Sequence, residues 1–323
     1  MTDTIPLAEV GPGGPGRAVA IGTFDGVHRG HQELFRRLVT EAGSRGLETV
    51  ALTFDPHPLA VIHPEAAPPV LTSTEEKAAL ITSLGVRRVV VLPFDLARAG
   101  QGAGDFVKEV LVDRLGSRLV MEGWNFCFGR GREGTPELLT ELGGRWGFDV
   151  QVLPAVTVEG ETVSSTAIRQ HVSQGRVERA EALLGRPYAL TGEVVRGEQR
   201  GRTLGYPTAN LALDPRRLLP GKGVYAVRAR LGGEGDGKDA APTAAAPVIC
   251  GMANVGLRPT FGGRQVSVEV HFFDFDQDLY GRRLNLEFIS KLRDERAFQS
   301  PQALVKQLDQ DAAAARHILR QAR

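Results

Sequence analysis

The sequence predicts an α/β protein in two parts: a layered domain with a parallel sheet over residues 1–186, then a small antiparallel β-barrel with a C-terminal helix over 187–323. Three observations carry that expectation. Short apolar strands alternate with helices of about ten residues as far as Leu153, the rhythm of a parallel sheet covered on both faces. After Pro187, five strand-like segments follow one another with no long helix between them, and closure into a barrel leaves few free edges. The length, 323 residues, suits two domains at about 150 residues each.

Taken in order, residues 1–17 are punctuated by Pro and Gly and form a lead-in with one short edge strand. Val19-Ala20-Ile21 reads as a buried strand running into the turn Gly22–Gly26, and from Gly30 onward Leu34, Phe35 and Leu38 recur at helical spacing. Thr49–Phe54 is the next strand; Ser73-Thr74-Glu75-Glu76 has the form of a capping box opening a helix toward Leu84. Arg88–Leu92, Leu119–Met121 and Val150–Leu153 are further strands, separated by helices over Asp105–Leu115 and Pro136–Trp146. Ligands of such a sheet belong at the carboxyl ends of its strands. Val177–Leu184 is a linking helix. The barrel strands are then Ala189–Arg196, Val224–Arg230, Pro247–Ala253, Gln265–Phe273 and Arg283–Ile289, with Val266, Val268, Val270 and Phe272 alternating against polar neighbours. The Gly/Ala-rich stretch 231–246 reads as a surface loop, and Glu295–Arg323 returns to helix.

Composition narrows the function. With 39 Lys+Arg against 38 Asp+Glu there is no overall positive field to hold nucleic acid or an anionic membrane surface. No apolar run approaches the ~18 residues of a membrane span. The N-terminus lacks a basic start followed by an apolar stretch, so no secretory signal is expected, and the two distant cysteines, Cys127 and Cys250, fit a reducing cytoplasm rather than a disulfide framework. Small-molecule substrates are expected, with the chain a monomer or a weak, transient oligomer.

Four segments concentrate chemistry. In Thr23-Phe24-Asp25-Gly26-Val27-His28-Arg29-Gly30-His31, two histidines three apart share a side of a helix start, whose amides and positive dipole end suit phosphate oxygens. Zinc is a rival reading, but it needs three or four ligands and only His57 is at hand for a third; a plain structural pair is another. Thr162–Arg169 places hydroxyls at a second helix start with Arg169 following, either a phosphate cradle or an ordinary cap. In the barrel half, Gly197–Asn210 is a glycine-rich loop without the Gly-Lys-Ser/Thr of a P-loop. Its Thr208 and Asn210 alternate, so both can aim neutral oxygens at a Mg²⁺ that bridges ATP phosphates. Glu269, inside the strand Val266–Phe273, is either a solvated strand-face carboxylate or a base in a cleft, with His271 on the same face as a competitor.

Several of these segments, in order, resemble one family. Gly22–His31, Thr53-Phe54-Asp55-Pro56-His57-Pro58, Gly123-Trp124-Asn125-Phe126-Cys127-Phe128-Gly129 and Val163–Arg169 look like the nucleotidyltransferase motifs of the bifunctional bacterial riboflavin kinase/FMN adenylyltransferase (FAD synthetase) family. Gly201–Asn210, Asn254–Phe261, Val268–Phe275 and Leu292–Glu295 look like its kinase motifs, and the resemblance runs from about residue 16 to 311.

The resemblance implies a Rossmann-like nucleotidyltransferase domain joined to a riboflavin kinase barrel, with ATP, riboflavin and FMN as substrates and Mg²⁺ as cofactor. His28 and His31 would steady the transferring phosphate, Ser164, Ser165, Thr166 and Arg169 the leaving pyrophosphate, and Glu269 would be the kinase base. Gly22, Phe24, Asp25, Gly30, His57 and Asn125 would line the first site. Gly201, Arg202, Gly205, Pro207, Asn254, Arg258 and Arg293 would line the second, with Thr208 and Asn210 serving the metal. At position 125 many similar chains carry aspartate, whereas the amide here has no charge. Two other classes compete with this reading: a nucleotidyltransferase for another small phosphate with a regulatory barrel, and a nucleotide or flavin sensor without turnover.

Overall fold

The structure, a computed structural model, describes residues 4–11, 16–197, 204–232, 246–260 and 263–321. By its contacts the chain divides into two compact units, Met1–Ser165 and Thr166–Arg323.

The first unit follows the order β1 (Thr4–Pro6), β2 (Arg17–Ile21), α1 (Arg29–Arg45), β3 (Glu48–Asp55), α2 (Pro58–Ile62), α3 (Thr74–Ser83), β4 (Arg88–Pro93), α4 (Leu96–Ala99), α5 (Ala103–Phe106), β5 (Ser117–Gly123), α6 (Pro136–Trp146), β6 (Asp149–Leu153) and a two-stranded β7 (Thr157–Val158) and β8 (Glu161–Thr162). Six parallel strands form one sheet in the order β1-β4-β3-β2-β5-β6. The chain leaves β2 toward β3 on one side and later returns to place β5 on the other, so the order reverses at β2, where α/β sheets open a crevice for ligands.

Each sheet face has its own core. Val19, Ile21 and Val120 face Phe106, Val110, Leu139 and Leu142, whereas Ala18, Ala20, Leu119 and Met121 face Leu34, Phe35 and Leu38 of α1. Alternation along β2 and β5 thus sorts side chains between the two helical layers. α1 stops at Gly46, which takes the left-handed conformation (φ 65°) that terminates helices. The capping box opening α3 is present, with Ser73 Oγ accepting from the Glu76 amide and the Glu76 carboxylate accepting from the Ser73 amide.

Two elements depart from expectation. The helix expected over Asp105–Leu115 is a short α5 followed by a π-helical run, Val107–Arg114. The wider helix, with the Leu115 amide donating to the Val110 carbonyl five residues back, brings Val107, Val110 and Leu111 into one core with Phe106. The strand expected to end at Met121 continues through Glu122 to Gly123.

The second unit contains nearly all of α7 (Ser165–Ser173), α8 (Val177–Leu184), β9 (Tyr188–Val195), β10 (Ala209–Ala212), β11 (Gly223–Leu231), β12 (Val248–Thr260), β13 (Gly263–Phe272), β14 (Arg283–Arg293) and α9 (Pro301–Gln321). The last six strands close an antiparallel barrel in the order β10-β13-β12-β11-β14-β9. β10 is the strand that periodicity misses: four residues are too few to show alternation, yet it bridges β9 and β13 and completes the closure. Tyr225 and Phe288 meet edge to face, 5.4 Å between centroids, in the fully buried interior. α9 lays Ala315 and Leu319 against Ala226, Met252, Phe273 and Ile289. It begins at Pro301, not Glu295, because proline favours the first helical turn and Ser300 Oγ accepts from the Ala303 amide. Most of the stretch read as a surface loop, 233–245, lies outside the described residues.

Candidate functional site

In the first unit the turn after β2 is held from beneath. The Gly22 amide donates to the Leu52 carbonyl (3.1 Å), and Phe24 and Val27 take left-handed backbone conformations (φ 49° and 40°), a strain that clusters where surrounding structure overdetermines a turn. The Phe24 ring is buried against Phe35 (4.8 Å) and meets the His31 ring edge-on (5.3 Å), so it is the platform on which His31 stands. A side chain at Gly22 would lie 2.8 Å from that ring. Asp25 is 3 % exposed. Its carboxylate accepts from the Leu71 amide, the Thr72 amide and the Thr72 hydroxyl at 3.0–3.2 Å. The structure therefore gives the Asp25 carboxylate the work of tying the turn to the chain before α3.

His28 caps α1: its Nδ1 accepts from the His31 amide at 3.3 Å. An accepting Nδ1 carries no proton, so the ring holds its proton on Nε2 and presents it as a donor. The two imidazoles stack with centroids 3.6 Å apart and planes within 16°. A side chain at Gly30 would crowd the His28 ring at 3.2 Å. Among the described residues no group of three His, Cys, Asp or Glu side chains could hold a metal ion, so the pair has no third ligand for zinc. Ser165, which opens α7, donates from its hydroxyl to the Asp25 carbonyl at 2.8 Å, joining the two phosphate-type motifs across 140 residues. Ser164 is half-buried beside it; Thr166 and Arg169 follow on α7. His57 caps α2, its Nδ1 accepting from the Leu59 amide at 3.2 Å. Asn125 is exposed on the turn after β5.

Two buried ionisable groups here escape motif reading. Lys77 of α3 is 6 % exposed and its Nζ donates to the Thr53 hydroxyl (3.2 Å), which donates to the Thr23 carbonyl (3.1 Å). Burial pushes its ammonium below the usual lysine range, opposed by the negative charges of Asp25 and Asp55. Its sequence signal is slight: a lysine at helical spacing with Ala78 and Ile81 on the buried face. Glu122 is a carboxyl closing an apolar strand, which reads as a polar strand end.

In the barrel, cross-strand register assembles the second constellation. Asn210 of β10 lies opposite Glu269 of β13, and Glu269 opposite Asn254 of β12. The same row continues through Val224 of β11 to Arg293 of β14. Directly opposed residues point to one face of a sheet, so Asn210, Glu269 and Asn254 leave the barrel on the same face. Asn210 is 7 % exposed, and a side chain at Gly197 would meet its amide at 2.2 Å, so the loop's first glycine makes room for it. Thr208 is half-buried, two residues before Asn210 and just ahead of β10. His271 Nδ1 donates to the Pro207 carbonyl at 2.9 Å and its ring packs on Tyr206, so this histidine anchors the loop beside Glu269. Burial, then the neighbouring Asp309, pushes the Tyr206 phenol up to about 12.

Arg293 turns toward α9: its guanidinium grips the buried Asp311 carboxylate through Nε (2.9 and 3.1 Å) and Nη2 (2.8 Å). Gly205 has φ 80° and is exposed with Pro207. Gly201 and Arg202 lie outside the described residues, as does the side chain of Arg258.

Comparison with known proteins bears on both constellations. The FAD synthetase family model matches residues 14–167, and the riboflavin kinase family model matches 184–319. The bifunctional riboflavin kinase/FMN adenylyltransferase of Escherichia coli K12 is 38% identical over 303 residues, 94% of this chain and 93% of that protein. This chain belongs to the bifunctional riboflavin kinase/FMN adenylyltransferase family. The protein of the same description from Pseudomonas fluorescens is 39% identical over 304 residues, covering 94% of this chain and 93% of the relative. A crystal structure described as a macrolide-efflux protein from Streptococcus pneumoniae superposes with a TM-score of 0.84 at 33% identity, over 97% of this chain and 98% of that one. Among the described residues no helix is long and apolar enough to cross a membrane. Membership accounts for both halves: the stacked histidines lie in the FAD synthetase match and the Asn210–Glu269–Asn254 row in the riboflavin kinase match.

Proposed function

We propose that the chain phosphorylates riboflavin on the barrel and adenylylates FMN at the ends of the parallel strands, each unit using its own ATP. The functional boundary is set between residues 186 and 187, just before β9, with α7 and α8 filling the interval between the two family matches.

In the kinase step the terminal ribityl hydroxyl attacks the γ-phosphorus of ATP, the bond to the β-phosphate oxygen breaks, and ADP leaves. Glu269 orients that hydroxyl and takes its proton. Thr208 and Asn210 would supply neutral oxygens to Mg²⁺; such an ion, held mainly by substrate phosphates, needs few protein ligands, and this pair fits that demand. Asn254 lines the site from the strand opposite Glu269, Gly205 and Pro207 shape the loop, and Gly201, Arg202 and Arg258 contact nucleotide or flavin. Arg293 acts by fixing the strand end to α9.

In the adenylyl transfer a phosphate oxygen of FMN attacks the α-phosphorus of ATP and pyrophosphate departs, with no protein nucleophile. His28 donates from Nε2 to the phosphate as charge shifts onto it, and His31, stacked beneath, assists. Ser164, Ser165, Thr166 and Arg169 hold the leaving pyrophosphate, with Gly22, Phe24, Asp25 and Gly30 forming and supporting the turn. His57 and Asn125 line the approach of FMN. The substrates are small molecules handled in the cytoplasm by a monomer or a weak, transient oligomer.

The observation that carries the reading is the Asn210–Glu269–Asn254 row, because no contiguous motif could make it and phosphoryl transfer needs a positioned carboxylate beside metal-binding oxygens. Incubation of the purified chain with riboflavin and ATP–Mg²⁺ is expected to yield FMN and then FAD by chromatography. Adenylylation of supplied FMN without any FMN made from riboflavin would remove the kinase assignment.

A further inference from the structure

Glu122 is the penultimate residue of β5, on the sheet face shared by Val120, Phe106 and Phe128. It is 0 % exposed, and neither carboxyl oxygen has a hydrogen-bond partner among the described residues. Buried polar groups are ordinarily paired, so an idle carboxyl is a standing loss of stability that calls for a reason. Burial, and secondarily the charge of Glu137 on α6, push its pKa up to about 8, so near neutrality it is an uncharged acid with one O–H donor and one carbonyl acceptor.

Its place in the fold suggests what it pairs with. β5 runs beside β2 with Met121 opposite Ala20, so Glu122 comes level with Ile21, one residue before the turn that carries His28 and His31. α1 covers one face of the sheet here and α6 the other, and in sheets of this kind ligands enter where the strand order reverses. The histidines belong to the α1 side. On the α6 side Glu122 sits at the root of a turn bearing exposed Trp124 and half-buried Phe126, whose ring stacks on Phe128 (5.9 Å between centroids). Aromatic residues on the turn that follows one uncharged acid suit a flat heteroaromatic ligand with a polar edge.

We propose that Glu122 is a binding residue for the second substrate of the adenylyl transfer, its O–H and C=O pairing with the imide edge of the flavin ring of FMN. This rests on the first unit being the FMN adenylyltransferase. The imide sets a carbonyl beside an N–H, and a neutral carboxyl answers both, whereas a carboxylate would face the carbonyl with like polarity. Contact requires the turn closed by the Phe126 amide on the Gly123 carbonyl (3.0 Å) to shift aside as the ring enters.

The test uses the full chain and three variants, Glu122→Gln, Glu122→Met and Glu122→Asp, assayed for pyrophosphate release with FMN and with N3-methyl FMN. Glu122→Met is expected to raise the KM for FMN about tenfold, the loss of roughly one good hydrogen bond, with the KM for ATP unchanged. Glu122→Gln, which keeps a donor and an acceptor, is expected to stay within about threefold of wild type. Wild type is expected to bind N3-methyl FMN about tenfold more weakly than FMN, and Glu122→Met to lose that preference. Equal FMN affinity in Glu122→Met and wild type, or an unchanged preference between the two flavins, overturns the proposal. Should Glu122→Met fail to fold, the flavin preference of wild type against Glu122→Asp decides the question in the same way. A wild-type chain that forms no FAD from FMN defeats the underlying reading, an outcome distinct from a wild type that forms FAD with an indifferent Glu122.

Discussion

The two candidate sites are built by opposite means. At the end of β2 the chemistry is local: His28, Gly30 and His31 lie within four consecutive residues, and one helix start sets their geometry. On the barrel nothing is local. Asn210, Glu269 and Asn254 come from three strands and meet only because the strands pair in that register. A site written in a loop shows itself as one motif; a site written in register is scattered over separate segments, and only the closed sheet shows that they meet.

Substitutions can break or sharpen that contrast. The largest effect is expected from Glu269→Gln, which removes the proposed base: FMN formation from riboflavin should fall by about 10²–10⁴-fold, while FAD formation from supplied FMN stays near wild type. His31→Ala is expected to do the converse, lowering FAD formation by about 10²–10³-fold, the loss of one preorganised electrostatic group, with the kinase step spared. Parallel loss of both activities in either variant would dissolve the separation between the units. Gly197→Ala tests register dependence without touching a reacting group. The added carbon would press on the Asn210 amide from 2.2 Å, and kinase kcat/KM should drop about tenfold, the cost of a small misplacement. Ser73→Ala gives the smallest change: loss of the α3 cap should lower the stability of the first unit by about 1 kcal/mol in denaturant unfolding, with kinase activity untouched.

Much of this was legible before any fold was known. The β2–α1 motif, the Ser73 capping box and the alternation of Val266–Phe272 are short-range patterns, and short-range physics makes them. Other features were hidden for identifiable reasons. β10 is four residues long and cannot display a period. Asp25 looks like part of the ligand motif, but its carboxylate bonds to Leu71 and Thr72, 46 and 47 residues away. Arg293 sits in a kinase-like segment, yet its charge is answered by Asp311 one helix further on. Lys77 and Glu122 are single polar letters at the edge of apolar patterns, where sequence cannot separate a solvated end from a buried charge. The π-helical run 107–114 was hidden too, since its side chains satisfy an α-helical spacing nearly as well.

The bond from the Ser165 hydroxyl to the Asp25 carbonyl has a consequence for how the enzyme is made. Domains assemble during synthesis roughly as they emerge, and this clasp joins nearly the first element of the unit to nearly its last. A nascent chain therefore carries both histidines, with their turn already held by Leu52, Leu71 and Thr72, before the last bond on that turn can close, which waits for residue 165 to emerge.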